Sequence, residues 1–183
     1  RIIAVSGGKG GTGKTNMAVN LSIALAQRQQ EVVVMDADIG LANAEVVMGL
    51  RSGETLQLVI EGTRNICDVL AVGPNGVKVV PGVSGLGHLA NLSEDGRRNV
   101  RAAIEQLQAR FDFVIIDTMA GIGPASVAFA VAADEVLLVT TPEPSALLDG
   151  YAMIKSIHGV NHGAKISVLV NMVEDQAQAL RAV

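Results

Sequence analysis

The stretch Gly8-Lys9-Gly10-Gly11-Thr12-Gly13-Lys14-Thr15 constrains this chain more than any other. It fits G-x-x-x-x-G-K-[ST], the loop whose backbone N–H groups cradle a polyphosphate. The flanks fit as well. Ile2-Ile3-Ala4-Val5 is a short apolar run that reads as a buried strand, and Lys14 to Gln27 carries Met17, Leu21, Ala24 and Leu25 at helical spacing. Strand, glycine loop, helix is the order such a site needs. Glycines let the main chain bend closely around phosphate oxygens, and the helix N-terminus adds partial positive charge. In that chemistry Lys14 reaches the β- and γ-phosphates and the Thr15 hydroxyl ligates Mg²⁺.

A competing reading uses the same letters. Gly8-x-Gly10-x-x-Gly13 also satisfies a dinucleotide fingerprint, and Asp36 follows at about the 20-residue distance of a ribose-binding acid. Against it, the Gly13-Lys14-Thr15 ending has no task in a dinucleotide site, and Asp38 and Asp117 are carboxylates that such a site does not require. Phosphate cradling is the better account.

The 183 residues are enough for one domain with a substantial core. Hydrophobic residues make up 49% and aromatics 2%, so Val, Ile, Leu and Ala must fill a sheet covered on both faces. A net charge of −4 argues against nucleic acid as the main partner. Arg97, Arg98 and Arg101 form a small basic cluster that reads as a solvated helix face. The single cysteine, Cys67, provides no disulfide framework and is consistent with the cytosol. No apolar run approaches the ~18 residues of a membrane span, and the start does not resemble a signal peptide. The chain opens on Arg1 within a strand, without Met, and its last helix stops unfinished at Val183. Terminal segments are therefore expected to be missing from a longer protein.

Six strand candidates alternate with helices: Ile2–Val5, Glu31–Met35, Val77–Val80, Phe113–Ile116, Val136–Thr140 and Ile166–Val170. Ser52 to Val72 reads as a turn and helix with Leu56, Val59 and Ile60 on one face, and Glu94 to Arg110 as a helix with Val100, Ile104 and Leu107 inward. A further helix follows Ser145, a good N-cap, with Leu147, Tyr151 and Ile154 on one face. The expected fold is α/β, a mainly parallel sheet flanked by helices on both faces. Acids stand at two strand ends, where parallel sheets carry ligands: Asp36 and Asp38 after one, Asp117 after another. Four apolar residues closed by Asp117 make the form that holds a Mg²⁺-bound water opposite Thr15.

Lys9 adds what the generic pattern lacks. Lys9-Gly-Gly-x-Gly-Lys-Thr15, with a second lysine early in the loop, resembles the deviant Walker A loop of the MinD/ParA ATPases. Asp36-Ala37-Asp38-Ile39-Gly40-Leu41-Ala42-Asn43 resembles their switch I, and Asp117-Thr118-x-Ala120-Gly121-Ile122 their switch II, with Met119 where a small residue is expected. Pro81-Gly82-Val83-Ser84-Gly85 and Thr141-Pro142-Glu143-Pro144, followed by Asp149, Tyr151 and Lys155, resemble the flagellar-number branch of the family, the FlhG/FleN type. The resemblance covers essentially the whole chain, with its motifs in the correct order.

The resemblance implies a P-loop NTPase fold with the MinD-like arrangement, and ATP/ADP with Mg²⁺ as ligands. The nucleotide set it implies is Gly8, Lys9, Gly10, Gly11, Thr12, Gly13, Lys14, Thr15 and Asn16, with Asn43 ordering the first switch and Gly121 in the second. Asn171 would read the adenine edge. Asn171-Met172-Val173-Glu174 is not the Asn-Lys-x-Asp of a guanine site, which favours ATP over GTP. Thr15, Asp38 and Asp117 would serve the metal; Lys9, Lys14 and Asp38 would be catalytic, Lys9 reaching across an ATP-dependent homodimer and Asp38 polarising the attacking water or completing the Mg²⁺ shell. Implied partners are a polar signal-recognition-type GTPase (FlhF-like), flagellar switch-ring proteins and, in some bacteria, a flagellar transcription activator. Implied locations are the cytoplasm, the inner-membrane periphery or the cell pole, with membrane contact only through a tail outside these residues. Two other classes stay open: a cell-division MinD or DNA-partitioning ParA-like ATPase, and a small-molecule ATP-dependent ligase on the same scaffold.

Overall fold

The computed structural model describes residues 1–38, 44–50, 53–82 and 93–182. Their order is β1 (Ile2–Ser6), α1 (Lys14–Ala26), β2 (Val32–Ala37), α2 (Ala44–Val47), α3 (Leu56–Ile60), β3 (Ala71–Val72), β4 (Lys78–Val80) and α4 (Glu94–Arg110), then β5 (Phe113–Thr118), α5 (Pro124–Ala132), β6 (Glu135–Thr140), α6 (Pro144–Val160), β7 (Ile166–Val170) and α7 (Gln176–Arg181). The strands form one sheet in the order β3-β4-β2-β5-β1-β6-β7. All pairings are parallel except β3 with β4.

Alternation along the central strands explains the layers. Val32 and Val34 of β2 pack with Ala18 and Val19 of α1 on one face, together with Ile115 of β5. Val33 and Met35 point to the other face, where they meet Leu56, Val100, Ile104 and Leu107 of α3 and α4. Both faces are buried, so these strands read as continuous apolar runs instead of alternating ones. Val136 and Leu138 of β6 carry the second face onward to Met153 and Ile157 of α6. Fully burying a side chain such as Ile115, Ile116 or Leu107 contributes roughly 1.5–3 kcal/mol.

Three local expectations change. The helix expected from Ser52 to Val72 is only α3, because the chain turns back at Gly62, whose N–H donates to Val59 O while Thr63 N–H donates to Leu58 O. Its expected end, Val72, belongs to β3, a two-residue strand with no sequence pattern of its own. Ser145 is not the cap of α6. Glu143 is the N-cap and Pro144 takes the first helical turn, where its missing N–H costs nothing. The buried stripe of α6 is Ala146, Gly150, Met153 and Ile157, leaving Tyr151 60% exposed. The switch I residues Ile39 to Asn43, including Asn43 itself, and the Val83-Ser84-Gly85 turn lie outside the described residues.

Candidate functional site

The site lies at the C-terminal ends of β1, β5 and β2, three neighbours at the sheet centre. From β1 the chain crosses toward β2, and from β5 it crosses the other way to β6. Crossovers leaving in opposite directions open a crevice above the strand ends, the place where open α/β sheets bind ligands. Register puts Asp117 beside Val5 on one side and Asp36 on the other. The loop of residues 7–13 closes over this edge and Lys14 opens α1.

The loop is clamped tightly. A Cβ on Gly8 would lie 2.1 Å from the carbonyl oxygen of Asp149 in α6, so only glycine allows the loop to touch that helix backbone. Gly13, the N-cap of α1, has φ +95°, and a Cβ there would lie 2.5 Å from Asn171 Nδ2. Thr12 and Lys14 are buried, Thr15 is half-buried, and Gly10, Gly11 and Asn16 are exposed. The Gly121 N–H donates to Gly7 O at 3.1 Å, so the segment after β5 is tied to the loop's first residues. Buried Thr118 donates to Val5 O and Ser6 Oγ, both at 3.1 Å, beneath the same junction.

Charge converges there. Lys14 Nζ donates to Lys9 O at 3.2 Å. Burial pulls the Lys14 pKa below the ordinary lysine value, and the nearby carboxylates of Asp117 and Asp38 oppose that shift. Asp117 is 1% exposed, and neither carboxylate oxygen has a hydrogen-bond partner. Burial raises its pKa from 3.8 to about 7; the Thr15 hydroxyl beside it moderates the shift without satisfying either oxygen in bonding geometry. Such a carboxylate, next to a hydroxyl and a lysine, fits a divalent cation, because a hard cation would use both orphan oxygens. Asp38 stands half-buried just past β2. Buried Asp36 accepts the Asp38 N–H on Oδ1 and the Ala44 N–H on Oδ2, each at 3.0 Å, and so holds the backbone on either side of the segment expected to be the first switch.

Lys9 is where sequence reasoning saw least. Its Nζ donates to Glu143 Oε1 at 2.6 Å and to Ser145 Oγ at 2.8 Å, both in the Pro-Glu-Pro-Ser turn. The lysine's hydrogen bonds, followed by that of Ser145 and the lysine's charge, hold the Glu143 carboxyl below its usual range. The turn stood out in the sequence as a branch marker. Its role as the lysine's seat, 134 residues away, had no local signal. Asn171 donates from Nδ2 to Thr12 O at 2.9 Å, a contact that the expected adenine role did not include.

A family model described as an AAA domain matches residues 1–169. The chain belongs to that family. Within it, its relatives and structural neighbours put it with MinD/ParA-type P-loop ATPases of the FlhG/FleN kind, as the loop and turns imply. Antiactivator FleN of Pseudomonas aeruginosa is 44% identical over 172 residues, covering 94% of this chain and 61% of FleN. The flagellum site-determining protein YlxH of Helicobacter pylori is 36% identical over 173 residues, covering 94% of this chain and 58% of YlxH. The chain thus spans about three fifths of the length of these relatives. The septum site-determining protein MinD of Pyrococcus horikoshii, solved with Mg-ADP, superposes with a TM-score of 0.82 at 28% identity, covering 100% of this chain and 77% of that one. Among the described residues no helix is long and apolar enough to cross a membrane.

Proposed function

We propose that this AAA-family protein is a MinD-like ATPase that binds Mg²⁺-ATP, pairs face to face with a second copy in response, and hydrolyses the nucleotide slowly. The observation that carries this reading is Asp117: a buried carboxylate with two orphan oxygens, beside Thr15 and Lys14 at the mouth of a phosphate loop. Mg²⁺ held by Thr15 and Asp117 would screen charge on the β- and γ-phosphates. Lys14 would exchange Lys9 O for phosphate oxygens, and the loop N–H groups and the start of α1 would cradle the rest. Asp38 would orient a water for in-line attack on the γ-phosphorus. The water oxygen–phosphorus bond forms as the β–γ bridging bond breaks, releasing ADP and inorganic phosphate.

Lys9 supplies the switch in this reading. In the single chain it is occupied by Glu143 and Ser145. Reaching a nucleotide in a second copy requires it to leave both, so its own turn competes with the partner's phosphates. Ordering of residues around Asp38 and Gly121 on ATP, and their release on hydrolysis, would make the protein a switch first and an enzyme second. The name of the YlxH relative, a flagellum site-determining protein, supports a role in placing flagella. Control of flagellar number, and a location in the cytoplasm and at the inner-membrane periphery or cell pole, are what the family resemblance adds. Partners of the kind that the family implies, a polar GTPase and switch-ring proteins, belong to the same reading. The test is specific ATPase activity against protein concentration. A lysine acting in trans makes activity per molecule rise to a plateau as dimers form; activity independent of concentration contradicts it.

A further inference from the structure

We infer that Asn171 is a positioning residue for the phosphate loop. This rests on the nucleotide-site reading and deepens it by adding a use beyond contact with the base. The chain arrives at Asn171 along β7, whose last pair is Thr140 with Val170. The Asn171 backbone N–H donates to Thr140 O at 2.8 Å, which fixes the residue to the end of β6. Its side-chain Nδ2 then donates to Thr12 O at 2.9 Å, across 159 residues of sequence. A carbonyl can only accept, so this contact sets which way the side-chain amide faces. Met172 follows with φ +56°, in the left-handed region.

The consequence follows from peptide geometry. In a trans peptide the C=O and the next N–H point in opposite directions. Holding the Thr12 carbonyl outward on Asn171 therefore aims the Gly13 N–H the other way, toward the concavity of the loop. That N–H begins the helix that receives the phosphates, and it has no intrahelical partner. Buried Thr12, 2% exposed, cannot turn its carbonyl to solvent instead. The contact is close enough that the Gly13 position excludes a Cβ. Asn171 thus pre-orients a phosphate donor before ligand arrives, the kind of preorganisation that makes donors effective. Its Oδ1 is left to accept a hydrogen bond from a base amino group, so that base and phosphate occupancy bear on one side chain.

The test uses a probe without a base. Affinities for Mg²⁺-tripolyphosphate and Mg²⁺-ATP are measured by calorimetry for the wild-type chain, Asn171→Ala and Asn171→Ser. The expected result is tripolyphosphate binding weakened about 2- to 10-fold in Asn171→Ala, the worth of one hydrogen bond, with ATP weakened at least as much. Asn171→Ser, which retains a shorter donor, should lie between the two. Unchanged tripolyphosphate affinity with weakened ATP would overturn the assignment and leave Asn171 a base reader alone. Unchanged affinity for both probes overturns it equally. A wild-type chain that binds neither probe overturns the nucleotide reading, and this assignment with it.

Discussion

The two ends of the sheet differ in how they treat acids. At the N-terminal ends of the strands, Asp134 accepts the Ile2 N–H at 2.7 Å and Asp112 accepts the Glu31 N–H at 2.9 Å. Glu135 there is shared by Arg1 and the Ser167 hydroxyl. Every one of those carboxylates has a partner and holds strand ends together. At the C-terminal ends, Asp117 is buried with both oxygens unsatisfied, and Glu45 in α2 has an unpartnered Oε2. Leaving a buried carboxylate unpaired costs more than most single interactions return. Asp36 at this same end is paired on both oxygens, so the contrast rests on Asp117, whose unsatisfied carboxylate at the strand ends is the signature of a group kept for a ligand.

The sharpest way to break that contrast is at Lys14, whose pKa burial lowers against the opposing charges of Asp117 and Asp38. Lys14→Ala is expected to lower kcat/KM for ATP by at least about 10²-fold, read by phosphate release, with the melting temperature of the nucleotide-free protein little changed. Asp38→Ala should lower kcat by a similar or somewhat smaller factor, about 10²-fold, while retaining ATP affinity in equilibrium binding.

Asp117 sharpens the contrast through pH. Its folded pKa is raised from 3.8 to about 7, so between those values the empty folded protein holds a proton that the unfolded chain has lost. Stability of the nucleotide-free protein is therefore full below about pH 4 on this account and falls as pH rises toward 7. Metal and proton compete for the same oxygens, so Mg²⁺-ATP affinity should move oppositely, weakening up to about tenfold per unit as pH drops below 7. Asp117→Asn should flatten both profiles, which thermal melts and calorimetry across pH 5–8 would read (about a few °C in the melts). Asp134→Asn at the satisfied end should leave the Mg²⁺-ATP profile unchanged. The smallest effect is at the exposed Lys9 seat. Glu143→Gln removes a surface pair and should favour the ATP dimer by no more than about fivefold, measured as a dimerisation constant.

Much of this was legible in the sequence because it is local. The loop, the strand runs and α4 are written in contiguous residues, and Val100, Ile104 and Leu107 are buried as their spacing predicts. Asp117 at a strand end was legible for the same reason, although its two orphan oxygens were not. The contacts that were missed join distant stretches: Lys9 with Glu143, Gly8 with the backbone of Asp149, and Asn171 with Thr12. No periodicity encodes them, since they depend on which strand ends the sheet order brings together. Ser145 looked like a helix cap by its own chemistry, but Pro144 moved the helix start and left the hydroxyl to Lys9.

The central claim is tested most directly by solution mass from light scattering, without nucleotide, with Mg²⁺-ADP and with Mg²⁺-ATP, in an Asp38→Ala background that slows hydrolysis. The account predicts a monomer except with ATP, where the mass doubles from 18.9 kDa, and loss of that dimer in Asp38→Ala/Lys9→Ala. A chain that binds ATP yet stays monomeric, or a dimer indifferent to Lys9, would contradict it.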